Sequence, residues 1–397
     1  MDRPHRGEEI RLAPVEPAPS AAIDEASGLM AAFAMRTGLV PGIAPKRYLW
    51  TDAFAVCNFL ALAASAGPDP FIGHAMRLVE QVHHVLGRHR PDDARRGWIS
   101  GLPEDAGQAH PTAGGLRIGK PLPERDARQP ADPELEWERD GQYFHYLTRW
   151  MHALDQFAHA TGNADAERWA CELALAAHAA FRMPAGGAHR LAWKMSIDLA
   201  RPLVSTMGHH DPLDGLITYL QLQARRDPAR DPDLGAQIRD MAAIADGRDW
   251  RTADPLGLGG LLADAWRLAQ LPGRIPGRSQ LLATMLEAAV DGLAAYQHQR
   301  PWQLPPSRRL AFRELGLAIG LHAVARLQSH DFADDAPGSA LSGLLAALAG
   351  SLPLADAIEA DWRQPASRRT PNWLSHEDIN AVMLATALLP SGYLDLR

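Results

Sequence analysis

Residues Asp140–Asn163, "DGQYFHYLTRWMHALDQFAHATGN", decide how the rest of the chain is read. Tyr143, Leu147, Trp150, Met151, Leu154, Phe157 and Ala158 recur at steps of three and four. That is the period of a helix with one apolar face, not the alternation of a strand. Asp140 stands before the run as a candidate N-cap, and Gly162-Asn163 ends it, so a helix is predicted over 141–161. Its other face carries His145, Thr148, His152, Asp155 and His159. On a surface helix such a stripe is ordinary. On an interior helix it implies a polar, hydrated axis, with His145 nearest the mouth and His152 and His159 as hydrogen-bonded interior groups.

Working outward, the same period predicts helices near 21–37, 47–65, 70–89 and 164–182, then near 211–226, 233–245, 255–270, 277–298, 310–328, 339–358 and 376–389. Alternating strands are almost absent; the one extended pair is "HRLAWKMSIDLARPLV", His189–Val204. The predicted class is all-α. Helices that begin near Tyr48, Gln142, Pro212, Pro255, Phe312 and His376 are apolar or small nearly all round, as in "GLGGLLADAW" and "ELGLAIGLHAV". Those between them, such as "NADAERWACELALAAHAAF", carry a distinct charged face. A helix that is apolar all round must be buried, whereas a one-sided helix lies on a surface. Inner and outer helices therefore alternate, and the economical solution is a closed ring of six antiparallel hairpins, with the first helix pairing with the last. Gly257, Gly259, Gly260, Gly316 and Gly320 would let inner helices approach closely, although each costs about 1 kcal/mol in helix propensity.

With "YLWTDAF" (48–54), "DGQYFHYLTRWMHALDQF" (140–157) and "WLSHEDINAVM" (373–383) at successive inner-helix starts, the chain resembles the (α/α)6 toroids of the six-hairpin glycosidase-like superfamily. The resemblance is architectural, spans about residue 21 to the C-terminus, and carries over no family's acid or base. It implies a substrate funnel at the ring end where the inner helices start. The loop 91–139, rich in Pro and Gly, leads to that end, as does 184–210. A loop of such length in a compact domain is usually a lid, a binding loop or a partly disordered segment.

Composition bounds the partners. The chain has 397 residues, with 46% apolar and 22% charged, which is the balance of a soluble globular protein. It is expected to form one domain over 21–397 behind a flexible or extended arm at 1–20. A net charge of -7 and the lack of a basic run exclude a general nucleic-acid binder. Lys46, Lys120 and Lys194 are the only lysines. Cys57 and Cys171 make neither a disulfide framework nor a zinc spacing, which points to a reducing compartment. The charged, Pro-rich start has no apolar core of a signal peptide, and no apolar run is expected to span a bilayer. A cytoplasmic protein without membrane, metal or cofactor is expected, and its oligomeric state is left open.

The candidate site residues gather at the predicted mouths. In "STMGHHDPLDG", 205–215, Asp211 reads as an N-cap, Pro212 as the first helical residue and Asp214 as a first-turn acid. His209 and His210 precede the cap; adjacent histidines diverge and fit no metal motif. Lys194, Asp198 and Arg201 lie in the loop before it, where ion pairing alone would explain them. Capping alone would likewise explain Asp140, and a capping-box variant Ser375 and Asp378, leaving Glu377 and His376 available to a pocket. Asp52 stands near another helix start. Trp50, Tyr143, Trp193 and Trp373 are aromatics near the same mouths; sugar faces pack on such rings, although most large aromatics are core.

Glycosidic cleavage needs one carboxylic acid to protonate the leaving oxygen and one carboxylate to activate water or to attack. The expected function is therefore a glycoside hydrolase acting on an oligosaccharide. Asp140 and Glu377 are the expected catalytic pair, with Asp211 next. Trp50, Asp52, Tyr143, His145, Trp193, Lys194, Asp198, Arg201, His209, His210, Asp214, Trp373 and His376 are expected to bind substrate. Two alternatives stand beside it: a sugar epimerase using His145, His209 or His376 as acid and base, and a carbohydrate-binding or scaffold protein without catalysis.

Overall fold

The computed structural model describes residues 20–185, 188–273, 275–332 and 338–396. The arm expected at 1–20 lies outside the described residues except for Ser20. The chain is mostly helical, 64% helix against 5% strand, which fits the all-α class. In chain order the helices are α1 (Ser20–Arg36), α2 (Leu49–Ala66), α3 (Phe71–Leu86), α4 (Glu104–Ala109), α5 (Pro133–Glu138), α6 (Phe144–Thr161) and α7 (Ala164–Phe181). There follow α8 (Asp211–Arg225), α9 (Gly235–Ala245), α10 (Pro255–Gln270), α11 (Arg278–Gln299), α12 (Ala311–Ser329) and α13 (Gly338–Ala349). The last are α14 (Pro353–Arg363), α15 (Pro365–Arg368), α16 (Pro371–Ser375), α17 (Glu377–Leu388) and α18 (Ser391–Leu394).

The helices that read as apolar all round are the buried ones. Every residue of α2 from Leu49 to Ala63 is buried, whereas α3 buries the single stripe Ile72, Ala75, Leu78, Val79, Val82 and Leu86, together with His83. Burial therefore follows the pattern of apolar residues on each helix. Packing runs from α2 to α6, from α6 to α8, on to α10 and α12, and from α12 to α17, which in turn packs on α2. The one-sided helices lie against these: α1 on α17 and α2, α3 on α2, α7 on α6, α9 on α8, α11 on α10, and α14 on α12. The tightest crossing is α10 on α12. A Cβ at Gly259 would stand 1.9 Å from the Gly316 carbonyl oxygen, and one at Gly320 would stand 2.6 Å from the Gly259 Cα. Only glycine lets the two backbones meet there.

Among the described residues five short strands accompany the helices: β1 (Gln142–Tyr143), β2 (Arg182–Ala185), β3 (Ala188–Leu191), β4 (Lys194–Met195) and β5 (Pro202–Val204). The first, fourth and fifth form an antiparallel sheet in the order β1-β4-β5, and β2 pairs with β3 as a hairpin. These strands tie the start of α6 to the segment before α8, with Tyr143 opposite Lys194 and Lys194 opposite Val204.

Several helix ends differ from expectation. The α6 helix begins at Phe144, after Tyr143 has joined the sheet, so Asp140 caps nothing. At α8 the N-cap is His210, and Asp211 is already helical. At α17 the N-cap is His376, without a side-chain bond, so the expected Ser375–Asp378 box does not form. The helix expected over 339–358 breaks into α13 and α14 at a turn over 350–352. Gly350 weakens the helix there, and Pro353 has no N–H to continue it. The loop 91–139 contains α4 and α5, which were not expected.

Two stretches, Leu49–Ala66 and Leu341–Arg363, are long and apolar enough to cross a bilayer, with mean hydropathies of 1.4 and 1.6, contrary to the expectation that no run is long enough. The first is 83% buried inside the protein, as a core helix is, and the second 33%.

Candidate functional site

A cavity of about 520 Å³ lies where the buried helices converge, lined from α2 (Trp50, Phe54), α6 (His145, Arg149), α8 (Asp211, Asp214), α10 (Gly257, Asp264), α12 (Arg313, Ile319), α17 (Met383) and α18 (Tyr393). Trp193 and the loop 206–210 complete its wall.

Its base is an ion-paired lattice of buried groups. Arg149 reaches Asp214 at 2.9 Å and Asp264 at 3.6 Å, and Arg267 reaches Asp264 at 2.9 Å and Asp214 at 3.5 Å. The Thr148 hydroxyl donates to the second oxygen of Asp214. Arg267 also donates to Thr218 at 3.0 Å and to Gln221 at 2.7 Å, and Gln221 donates to Asp155 at 2.5 Å. Charges this far from water persist only when paired and hydrogen-bonded. Burial, and then the nearby charge of Asp214, raise the Asp264 carboxyl to about 6.

Asp211 is placed differently. Its side chain is 8% exposed, and its Oδ2 has no hydrogen-bond partner among the described residues. The nearest cationic candidate is His145, whose Nδ1 is 3.7 Å from Asp211 Oδ1 and is itself without a partner. Burial, followed by the charge of Asp214, raises the Asp211 carboxyl to about 7; Arg149 and a backbone hydrogen bond from Gly208 oppose the shift without cancelling it. A Cβ at Gly208 would lie 2.4 Å from this carboxyl and displace it. The result is a carboxylic acid that holds its proton near neutral pH, in a cavity, beside a neutral imidazole. This is the state that a general acid requires.

The His145 ring is stacked near Tyr143, 5.4 Å between centroids, and lies nearly parallel to Trp193 at 6.2 Å. Its surroundings hold it below the usual histidine range, chiefly by burial. With 28% of its side chain still open, the ring meets the cavity as neutral imidazole. His210 is also lowered by burial; its Nε2–H donates to the Trp250 carbonyl at 2.8 Å, which leaves Nδ1 as the acceptor. At the mouth Asp254 caps α10 through the Gly257 N–H at 2.9 Å and pairs with Arg313. Asp254 remains 38% exposed and so within reach of water.

Of the residues expected from sequence, the cavity brings together Asp211, Trp50, His145, Trp193, His209, His210 and Asp214. Asp140 is elsewhere and wholly enclosed: Arg117 reaches it at 2.8 Å and Arg90 at 3.3 Å, and the N–H groups of Gly119 and Gly141 donate to it. Glu377 lies at the surface against Arg36 at 3.2 Å. Asp52 accepts the Tyr48 N–H at 2.9 Å at the start of α2. Lys194 donates to the carbonyls of Glu136 and Arg139 at 2.6 and 2.8 Å, and burial lowers it to about 8. Asp198 pairs with Arg95, and Arg201 donates to the Arg125 carbonyl. Trp373 is buried against Trp362 with centroids 6.0 Å apart, and His376 lies beside Phe312. Tyr143 adjoins the cavity through His145 without lining it.

Sequence reading missed Arg149, Asp254, Asp264, Arg313 and Tyr393. Arg149 carried a signal, since it follows His145 by four residues and so extends the same polar stripe. Asp264 and Arg267 interrupt an otherwise apolar α10, which is how a buried ion pair looks in sequence. Among the described residues no three His, Cys, Asp or Glu side chains converge as a metal-ligand set. Compared with protein-family models and with curated proteins, the chain matches none of them.

Proposed function

We propose that the chain is an (α/α)6 toroid, one domain over 21–397, and that it works in the cytoplasm as a glycoside hydrolase on an oligosaccharide. The return of packing from α17 to α2 supports the ring. The observation that carries the activity is the Asp211 carboxyl, raised to about 7 with its Oδ2 unpartnered among the described residues, inside a cavity walled by Trp50, Phe54, Trp193 and Tyr393. Asp211 donates its proton to the leaving glycosidic oxygen. Asp254, the cavity carboxylate open to water, activates the attacking water. Asp214 and Asp264, fixed by two buried arginines, supply the negative field in which an oxocarbenium-like state develops. The aromatic wall packs on the sugar faces. This reading moves the acid from Asp140 and Glu377 to Asp211.

The test is turnover of a panel of plant, bacterial and storage oligosaccharides by the wild type, Asp211→Asn and Asp254→Asn. Cleavage by the wild type and its loss by at least about a hundredfold in Asp211→Asn is expected. Full cleavage in Asp211→Asn would overturn the assignment. A second reading, sugar epimerisation, is favoured by the two neutral histidines, His145 and His210, on one cavity. Solvent deuterium entering a sugar carbon without chain cleavage would select it. Binding of the same sugars with neither outcome would select a non-catalytic role.

A further inference from the structure

Beside the central cavity lies a second one of about 300 Å³, and the two share Trp193 and Thr206 in their walls. The segment that carries α5 lines one side of the outer cavity, where Trp137 stands 51% exposed. Its ring meets Trp193 edge to face, with centroids 4.7 Å apart. A tryptophan kept only for stability would bury its large apolar area, because that burial is what stabilises a fold. This one is held out instead. Lys194 binds the carbonyls on either side of it, Glu136 and Arg139, and Arg125 clamps the Glu136 carboxylate at 2.7 Å. The backbone around Trp137 is therefore tethered while its ring stays half exposed. Ser205 and Thr206, both exposed, bring two hydroxyls to the rim between the cavities.

We infer that the outer cavity is a distal sugar subsite, with Trp137 as its stacking platform and Trp193 as the wall between two successive units of one bound oligosaccharide. This rests on the reading of the central cavity as a glycosidase site, and it narrows the substrate class to chains rather than single sugars or disaccharides. An aromatic ring with one free face and adjacent hydroxyls suits the C–H face and the hydroxyls of a neutral sugar unit. Trp137 takes no part in proton transfer. Lys194 is a positioning residue that holds the platform.

The experiment compares cello-, malto-, xylo- and chito-oligosaccharides of two and of five units, by turnover with the wild type and by calorimetric binding to Asp211→Asn. Trp137→Ala is expected to raise KM for the cleaved five-unit chain about five- to tenfold, with kcat and the two-unit KM unchanged, and Trp137→Tyr to restore most of the loss. Binding of the five-unit chain to Asp211→Asn should weaken by the same factor when Trp137→Ala is added. Equal effects on both lengths, or none on the long chain, would overturn the subsite while leaving the hydrolase reading intact. Absence of both turnover and binding for every chain would overturn the two together.

Discussion

The Nδ1 of His145 and the Oδ1 of Asp211 face each other across 3.7 Å, too far for a hydrogen bond, and both side chains keep an unpartnered atom in the cavity. In most buried sites such atoms are paired. Here the gap leaves the Asp211 carboxyl without a hydrogen bond to His145.

The sign of the pH response follows from that acid. Its folded value, about 7, lies above the 3.8 of a free aspartate, so the unfolded chain releases this proton first. Stability from this group is therefore full below pH 4 and is lost as pH rises through 7. The displacement corresponds to about 4 kcal/mol at pH 8. Asp211→Asn should raise Tm at pH 8, change it little at pH 4, and abolish turnover at both. In the wild type, turnover should fall as pH passes 7. Differential scanning calorimetry and a pH–rate profile check the two halves.

Arg267 has no exposed surface and neutralises Asp214 and Asp264 together. Arg267→Met should cost about 3–5 kcal/mol in urea unfolding, because two carboxylates then share Arg149 alone. Adding Asp264→Leu should recover part of the loss, since the orphaned charge is then removed as well.

Glycine to alanine should change sign with the space around it. Gly259→Ala drives a methyl into the Gly316 carbonyl and should cost at least about 2 kcal/mol despite the better helix former. Gly343→Ala, with no atom within 4 Å of its Cβ, should stabilise by up to about 1 kcal/mol. Thermal melts of both variants would show it.

Asp140 and Glu377 should separate cleanly from catalysis. Asp140→Ala leaves Arg117 unpaired and should cost about 3–5 kcal/mol. Glu377→Gln removes one solvent-exposed pair with Arg36, and Asp378 still holds that arginine at 2.8 Å. Its stability should stay within about 0.5 kcal/mol and its turnover unchanged. Parallel urea titrations and turnover assays measure this.

The helices were legible because burial imposes a period that the residues cannot hide: α2 and α12 read as apolar all round and are buried, and α3 reads one-sided and is. The break between α13 and α14 is also written in the sequence, in Gly350 and Pro353, where one helix over 339–358 was expected. The site was harder to read. Asp140, Asp211 and Asp378 all precede or open helices, and sequence cannot say which will meet an arginine. Arg117 comes from the long loop and Arg90 from just before it to enclose Asp140, and Arg36 comes from α1 to Asp378. Among the described residues, nothing from a distant segment reaches Asp211 Oδ2. The deciding contacts are long-range, and helix-terminus grammar is local.

The scarcity of lysine turns the loop anchor into a clock. Lys46 has 75% of its side chain in solvent, whereas Lys194 has none. An amine-directed reagent should mark Lys46 at once. It should mark Lys194 only during the moments when the α5 segment lifts from its two carbonyl tethers. The lag between the two marks, read by mass spectrometry, reports how seldom Lys194 is uncovered, and an oligosaccharide bound against Trp137 should lengthen it.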